Sequence, residues 1–291
     1  MKRINLIYLF TVLYTNSIVA QTLSDSIVTL NLDKIAQVNQ EESYVTFPFD
    51  IGNLEPLMFE ANVSPNFKIR ERKDSRLMAV LTSQIIIRML EEYSHPAKTP
   101  SYIPQIAFYF LTGHKDAANK LTLFGKIAHH SNGQDGNFYT DDGKVNLQSG
   151  NFATNYLELG FLQSSYSQNL KAFKFIKSSV EIHPKSWMLE ELHGQYSGLR
   201  WHNTFLAYKL PMKSNLIKSS EQKANFSVKA ETTLMLDNIN NWDTFNSKRI
   251  NASLIVYYHP KFLEDIGFFV QFYQGMDYYN IYFQHQISSI R

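Results

Sequence analysis

The 291-residue sequence has no cysteine, which excludes disulfides and thiol chemistry and leaves any metal to oxygen or histidine ligands. Beyond its first twenty residues it also lacks a run long and apolar enough to cross a bilayer as a helix. A strong excess of one charge sign is missing too. The 28 basic and 26 acidic side chains give a net charge of +2, and loss of Lys2 and Arg3 with a cleaved leader brings it to about zero. Such a balance carries no electrostatic footprint for nucleic acid, so none is expected as a partner. No linker, repeat or low-complexity tract divides the chain. A mature length of about 270 residues suits one large domain or one mid-sized barrel.

What is present begins with an export signal over 1–20. Lys2 and Arg3 give a positive start, Ile4 to Leu13 are mostly apolar, and Ile18-Val19-Ala20 before Gln21 reads as a cleavage site. Tyr14, Thr15 and Asn16 interrupt the apolar stretch, so it is too short for a transmembrane helix. A buried N-terminal core segment is the bland alternative. Residues 21–56 are polar and read as an irregular lead-in or plug. From 57 to 291 the texture changes to segments of roughly ten to fifteen residues, rich in β-branched and aromatic types, between polar turns.

The stretch from Lys120 to Ala128 alternates most clearly. Leu121, Leu123, Gly125 and Ile127 share one face, opposed by Lys120, Thr122 and Lys126. Leu157, Leu159 and Phe161 do the same against Tyr156, Glu158 and Gly160. Further strands are expected at 57–63, 66–72, 76–90, 101–112, 171–182, 195–209, 223–236, 247–259, 264–275 and 278–291, about twelve in all. A soluble β-sandwich also fits alternating strands. The leader, the aromatic load of 17 Tyr and 21 Phe, and strands long enough to cross at a tilt favour an antiparallel transmembrane β-barrel of the bacterial outer membrane. Only a closed barrel leaves no unpaired backbone in lipid when no helix spans. Arg291 is atypical as a last residue for that class, whose final strand commonly ends on an aromatic; either a few residues are missing or the terminus is unusual.

One segment carries chemistry: His129-His130-Ser131-Asn132-Gly133, at the end of the 120–128 strand. Continuing the period of two puts His129 and Ser131 on the apolar face. If the next strand pairs back through the loop 132–151, Asn155 comes level with His129. A serine hydroxyl needs an adjacent base, and a neutral imidazole can take its proton. Asparagine can hold the imidazole in one tautomer, and against lipid it costs less than a carboxylate. Gly133 permits a turn whose N–H can face a developing oxyanion. Polar turn residues without chemistry are the plain alternative. A zinc site on His129 and His130 is disfavoured, because adjacent strand residues point to opposite faces. No Gly-x-Ser-x-Gly elbow occurs, so an α/β-hydrolase is unsupported.

These residues resemble the outer-membrane phospholipase A family, whose mark is His-x-Ser-Asn-Gly at a strand end and a catalytic Asn on the next strand. His129, Ser131, Asn132 and Gly133 match the first, and Asn155-Tyr156-Leu157 the second. Tyr102-Ile103-Pro104-Gln105 resembles the family's Asn-Tyr-x-Pro-Gln strand start, with Ser101 in place of Asn, and Ser94-His95-Pro96 precedes it at the family's spacing. Gln271 to Gly275 looks like the penultimate hairpin. The resemblance implies a twelve-stranded barrel that hydrolyses phospholipid and lysophospholipid acyl esters, depends on calcium and acts as a homodimer. By position it assigns Ser131 as nucleophile, His129 as base and Asn155 as its orienter. It implies calcium ligands at Ser94 from the partner, at the Gln134 carbonyl and at Asn151, with Ser149 the nearest hydroxyl. The sequence departs in its long 132–151 loop, which contains Asp135, Asp141 and Asp142, in His130, and in the poorly matched dimer face Thr82-Ser83-Gln84-Ile85-Ile86-Ile87. A non-catalytic barrel, a small porin or scaffold, is the alternative. Such a barrel gains nothing from three polar residues on its lipid side.

Overall fold

The computed structural model describes residues 30–291 apart from 48–50, 71, 73–74, 115–116, 168–171, 209–224, 261–262 and 264–265. The expected export signal, 1–20, lies outside the described residues. The strands are β1 (Tyr44–Thr46), β2 (Ile51–Gly52), β3 (Leu57–Val63), β4 (Asn66–Ile69), β5 (Leu77–Leu90), β6 (Ser101–Leu111) and β7 (Lys120–Ser131). They continue as β8 (Ala153–Ser167), β9 (Ala172–Ile182), β10 (Leu199–Tyr208), β11 (Asn225–Met235), β12 (Ile250–His259), β13 (Phe268–Met276) and β14 (Gln286–Ile290). From β5 onward each strand pairs antiparallel with its neighbour in sequence, and β3 and β4 both pair with β5. The path ends at β1 beside β3 and at β2 beside β14. Because β1 and β2 follow one another in the chain, the two ends of the sheet meet and form a barrel.

Every segment expected from alternation carries a strand. β1 and β2 are additions, lying in the stretch read as irregular. They span three and two residues, too short to display a period. The last segment is shortened to β14, because residues 277–285 turn inward over the rim through a 3-10 turn at Asn280–Gln284.

Alternation decides the two faces. On β7, Leu121, Leu123 and Ile127 are 42%, 47% and 49% exposed, whereas Thr122, Phe124 and His130 are buried. Phe108, Leu159, Val180, Phe205, Leu254 and Phe272 on other strands are also exposed, so an apolar belt surrounds the barrel.

The interior is filled, and its layers differ. Near one rim sits helix α1 (Leu32–Val38), capped by Asn31, whose side chain accepts from the Lys34 N–H at 2.9 Å. Leu32, Ile35 and Ala36, at i, i+3 and i+4, pack against Met78, Tyr109, Phe124 and Phe175. Asp33 reaches Lys68 on the wall at 2.9 Å. The opposite rim is closed by Phe138, Phe152, Leu192, Ile239, Tyr279 and Phe283, which come from the long loops. Paired charges also line the interior. Arg88 bonds Glu60 at 2.8 Å and Asp277 at 2.7 Å, Arg291 bonds Glu60 at 2.6 Å, and Lys177 bonds Glu158 at 2.9 Å. Pairing is required, since an isolated charge away from water is far costlier than a matched one.

Candidate active site

β7 and β8 pair from Lys120↔Ser164 to Ser131↔Ala153, and this register sets His129 directly opposite Asn155. His129 Nδ1 and Asn155 Oδ1 are 2.8 Å apart. Ser131 follows two residues further along the same outward face. Imidazole, amide and hydroxyl therefore share the outer surface at the long-loop rim, next to the belt of Leu123, Ile127 and Leu159. On the other side of β7, Ser131 pairs with Tyr102 of β6. The register then lapses until Gln105↔Ala128. The lapse contains Pro104, which has no N–H to give.

The chain after Ser131 is fixed by Asn132, which is 2% exposed. Its Nδ2 donates to the Gly150 carbonyl at 2.8 Å, and its Oδ1 accepts from the N–H groups of Phe152 at 3.0 Å and Gln134 at 3.3 Å. One side chain thus closes the neck of the 132–152 loop. Gly133 follows in the left-handed region at φ +68, and a Cβ there would stand 3.3 Å from the Tyr102 ring. Both constraints favour glycine.

His130 and Thr154, the neighbours of His129 and Asn155, point inward. His130 is stacked edge-on against Phe152 with centroids 4.9 Å apart. Thr154 Oγ1 lies 2.8 Å from His183 Nδ1, and His183 Nε2 lies 2.8 Å from Glu181. Burial lowers the His183 pKa below its ordinary value, against the opposing pull of Glu181. This interior group is separate from the outward-facing His129, Ser131 and Asn155.

The residues assigned to calcium give a sparser picture. Ser94 is exposed, on the turn after β5, at φ +66. Gln134 and Asn151 lie at the neck of the 132–152 loop, where Asn151 N–H donates to the Gly136 carbonyl at 2.9 Å. The Gln134 carbonyl and the Asn151 side chain are two neutral oxygens, whereas calcium takes about six to eight, usually with carboxylates. Asp142 is bonded to Lys144 and Thr140, and Lys144 lowers its pKa. Among the described residues no three His, Asp or Glu side chains converge on a point. The assigned residues of one chain therefore do not by themselves complete a calcium shell.

One contact at Asn155 was not legible in the sequence. Asn155 Nδ2 donates to the backbone carbonyl of Trp187, at 3.1 Å, from the 183–198 loop. A backbone acceptor leaves no mark in side-chain identity.

An antiparallel β-barrel with an apolar outer belt and, among the described residues, no helix long and apolar enough to span has the fold of outer-membrane β-barrels. Among solved structures it is similar to outer membrane phospholipase A from Escherichia coli, with a TM-score of 0.52 and 15% identity, over 80% of this chain and 75% of that one. No protein-family model and no curated protein sequence matches the chain.

Proposed function

We propose that this chain is a lipase of the bacterial outer membrane that hydrolyses phospholipid acyl esters, of phospholipase A1/A2 and lysophospholipase type. The observation that carries the proposal is the 2.8 Å bond from His129 to Asn155 on the barrel's outer face, beside Ser131. Acyl chains reach such a surface from within the bilayer.

His129 Nδ1–H donates to Asn155 Oδ1, so Nε2 holds the lone pair. Ser131 Oγ attacks the ester carbonyl carbon while His129 Nε2 takes its proton. The tetrahedral oxyanion accepts from the Gly133 N–H, a type of donor worth about 2.7–4 kcal/mol. As the bond from carbon to the glycerol oxygen breaks, His129 returns the proton to that oxygen and the lysolipid leaves. Water, deprotonated by His129, then attacks the acyl-serine; Ser131 recovers its proton and a fatty acid departs. Asn155 holds the ring but adds no negative charge beside the imidazolium.

Calcium and a homodimer are implied by the family resemblance. Since the assigned residues of one chain offer too few oxygens, the implied site would draw on a second copy, with Ser94 supplied across the interface. The test is fatty-acid release from phospholipid micelles by the refolded protein, with calcium or chelator, beside Ser131→Ala. Release lost in the variant supports the lipase, and its loss with chelator supports the metal. Equal, negligible release from both folded proteins would leave a non-catalytic barrel. A small pore is disfavoured by the apolar layers that fill the barrel near both rims.

A further inference from the structure

We infer that residues 187–189 of the β9–β10 loop are a positioning element that fixes the Asn155 amide and, through it, the tautomer of His129. The inference rests on the lipase reading above. A carboxamide can turn through half a circle at almost no cost to its shape, and so present either its oxygen or its NH2 to the imidazole. Nothing on β7 or β8 alone decides between these. The Trp187 carbonyl does, because it only accepts. It takes Asn155 Nδ2 at 3.1 Å, so Oδ1 must face His129, and the ring nitrogen at 2.8 Å must carry the proton. The lone pair is thereby left on Nε2, the nitrogen that serves as base.

The carbonyl is held in place by the strand it serves. Leu189 N–H donates to the Ala153 carbonyl at 3.2 Å, and Met188 bridges antiparallel to Thr154. Residues 187–189 thus lie along the start of β8 like an added strand, and Trp187 reaches Asn155. On the inner side, Thr154 is tied to His183, the first residue of the same loop. The loop therefore holds β8 at Ala153 and Thr154, immediately before the residue it orients.

The arrangement reverses an ordinary expectation. Aspartate is the usual third member of a serine triad. Here a carboxylate at 155 would turn one oxygen toward His129 and the other toward the Trp187 carbonyl, two acceptors face to face. Asn155→Asp should therefore be slower than the native enzyme.

Leu189→Pro tests the grip. Leu189 has φ −59 and Met188 is extended at φ −132, ψ 161, so both already fit a proline at 189. The change removes the N–H that bonds Ala153. With folding verified by an SDS mobility shift on boiling, kcat for fatty-acid release from phospholipid micelles should fall about tenfold with KM little changed, the value of one hydrogen bond. The penalty of Asn155→Asp should also shrink when Leu189→Pro is present. Unchanged kcat in Leu189→Pro, or an Asn155→Asp enzyme as fast as the native one, would overturn the inference. If Leu189→Pro does not fold, Asn155→Asp alone still decides. An inactive native protein would instead remove the lipase reading beneath it, and the two failures are distinct.

Discussion

His129 and Asn155 face each other as one register pair of β7 and β8, Nδ1 to Oδ1 at 2.8 Å, while their neighbours His130 and Thr154 pair on the inner side. The same two strands thus carry an outward polar pair, to which the proposed lipase assigns the chemistry, and an inward polar pair for packing. The period of two makes both possible.

On the proposed lipase, that geometry ranks the three residues. Ser131→Ala and His129→Ala each remove a group that forms or accepts a bond, so fatty-acid release should drop to background. Asn155→Ala removes the orienting bond to His129 and the bond to the Trp187 carbonyl, but no reacting atom. A hydrogen bond to a charged group is worth about 1.5–3 kcal/mol, so release should fall roughly ten- to a hundredfold. Initial rates on one micellar substrate check the order, and an Asn155→Ala loss equal to that of Ser131→Ala would contradict it.

Much of this was legible in the sequence because strand alternation is a local signal. Leu121 to Ile127 announced the outward face, and carrying the count forward placed His129, Ser131 and Asn155 on it. The inward turn of His130 followed from the same count. What stayed hidden has other physical origins. β1 and β2 are too short for a period, and α1 offers seven residues with a single apolar face. Asn132 stood within the motif, yet its grip on Gly150 and Phe152 depends on how a twenty-residue loop closes. The Trp187 carbonyl belongs to the backbone and has no residue type to betray it.

Asn132 should govern the order of that loop. Asn132→Ala removes three hydrogen bonds at its neck. A buried group left unpaired costs about 1–3 kcal/mol. The 132–152 loop should then be cut faster in limited proteolysis of the folded barrel, mapped by mass spectrometry, and activity should fall because Gly133 loses its support. Unaltered cleavage would show that the loop is held elsewhere.

Arg88 should govern the barrel itself. It is fully buried and joined to Glu60 on β3 and to Asp277 beyond β13, while Arg291 also bonds Glu60. The cluster ties the first long strand to the end of the chain. Arg88→Met fills similar space but leaves two carboxylates short of their partner, at about 3–5 kcal/mol for a broken buried pair. The temperature at which the SDS-resistant band converts to the unfolded one should drop clearly. An unchanged conversion temperature would mean that Arg291 alone suffices for Glu60.

His183 gives the barrel's rim a dependence on pH. The imidazole bonds Thr154 and Glu181, with Arg200 and His202 also facing Glu181. Burial is the main cause that lowers its pKa, and Arg200 and His202 act in the same direction. In the unfolded chain His183 returns to about 6.5. As pH falls through that value, the unfolded state takes up a proton that the folded state still refuses, so stability declines toward acid. It is restored above the unfolded value, where both states are neutral. His183→Gln keeps polar bonds available but cannot titrate. The native barrel should therefore convert at a lower temperature at pH 5 than at pH 7.5, and His183→Gln should lose part of that difference. An identical pH slope in the variant would assign the acid sensitivity to other groups.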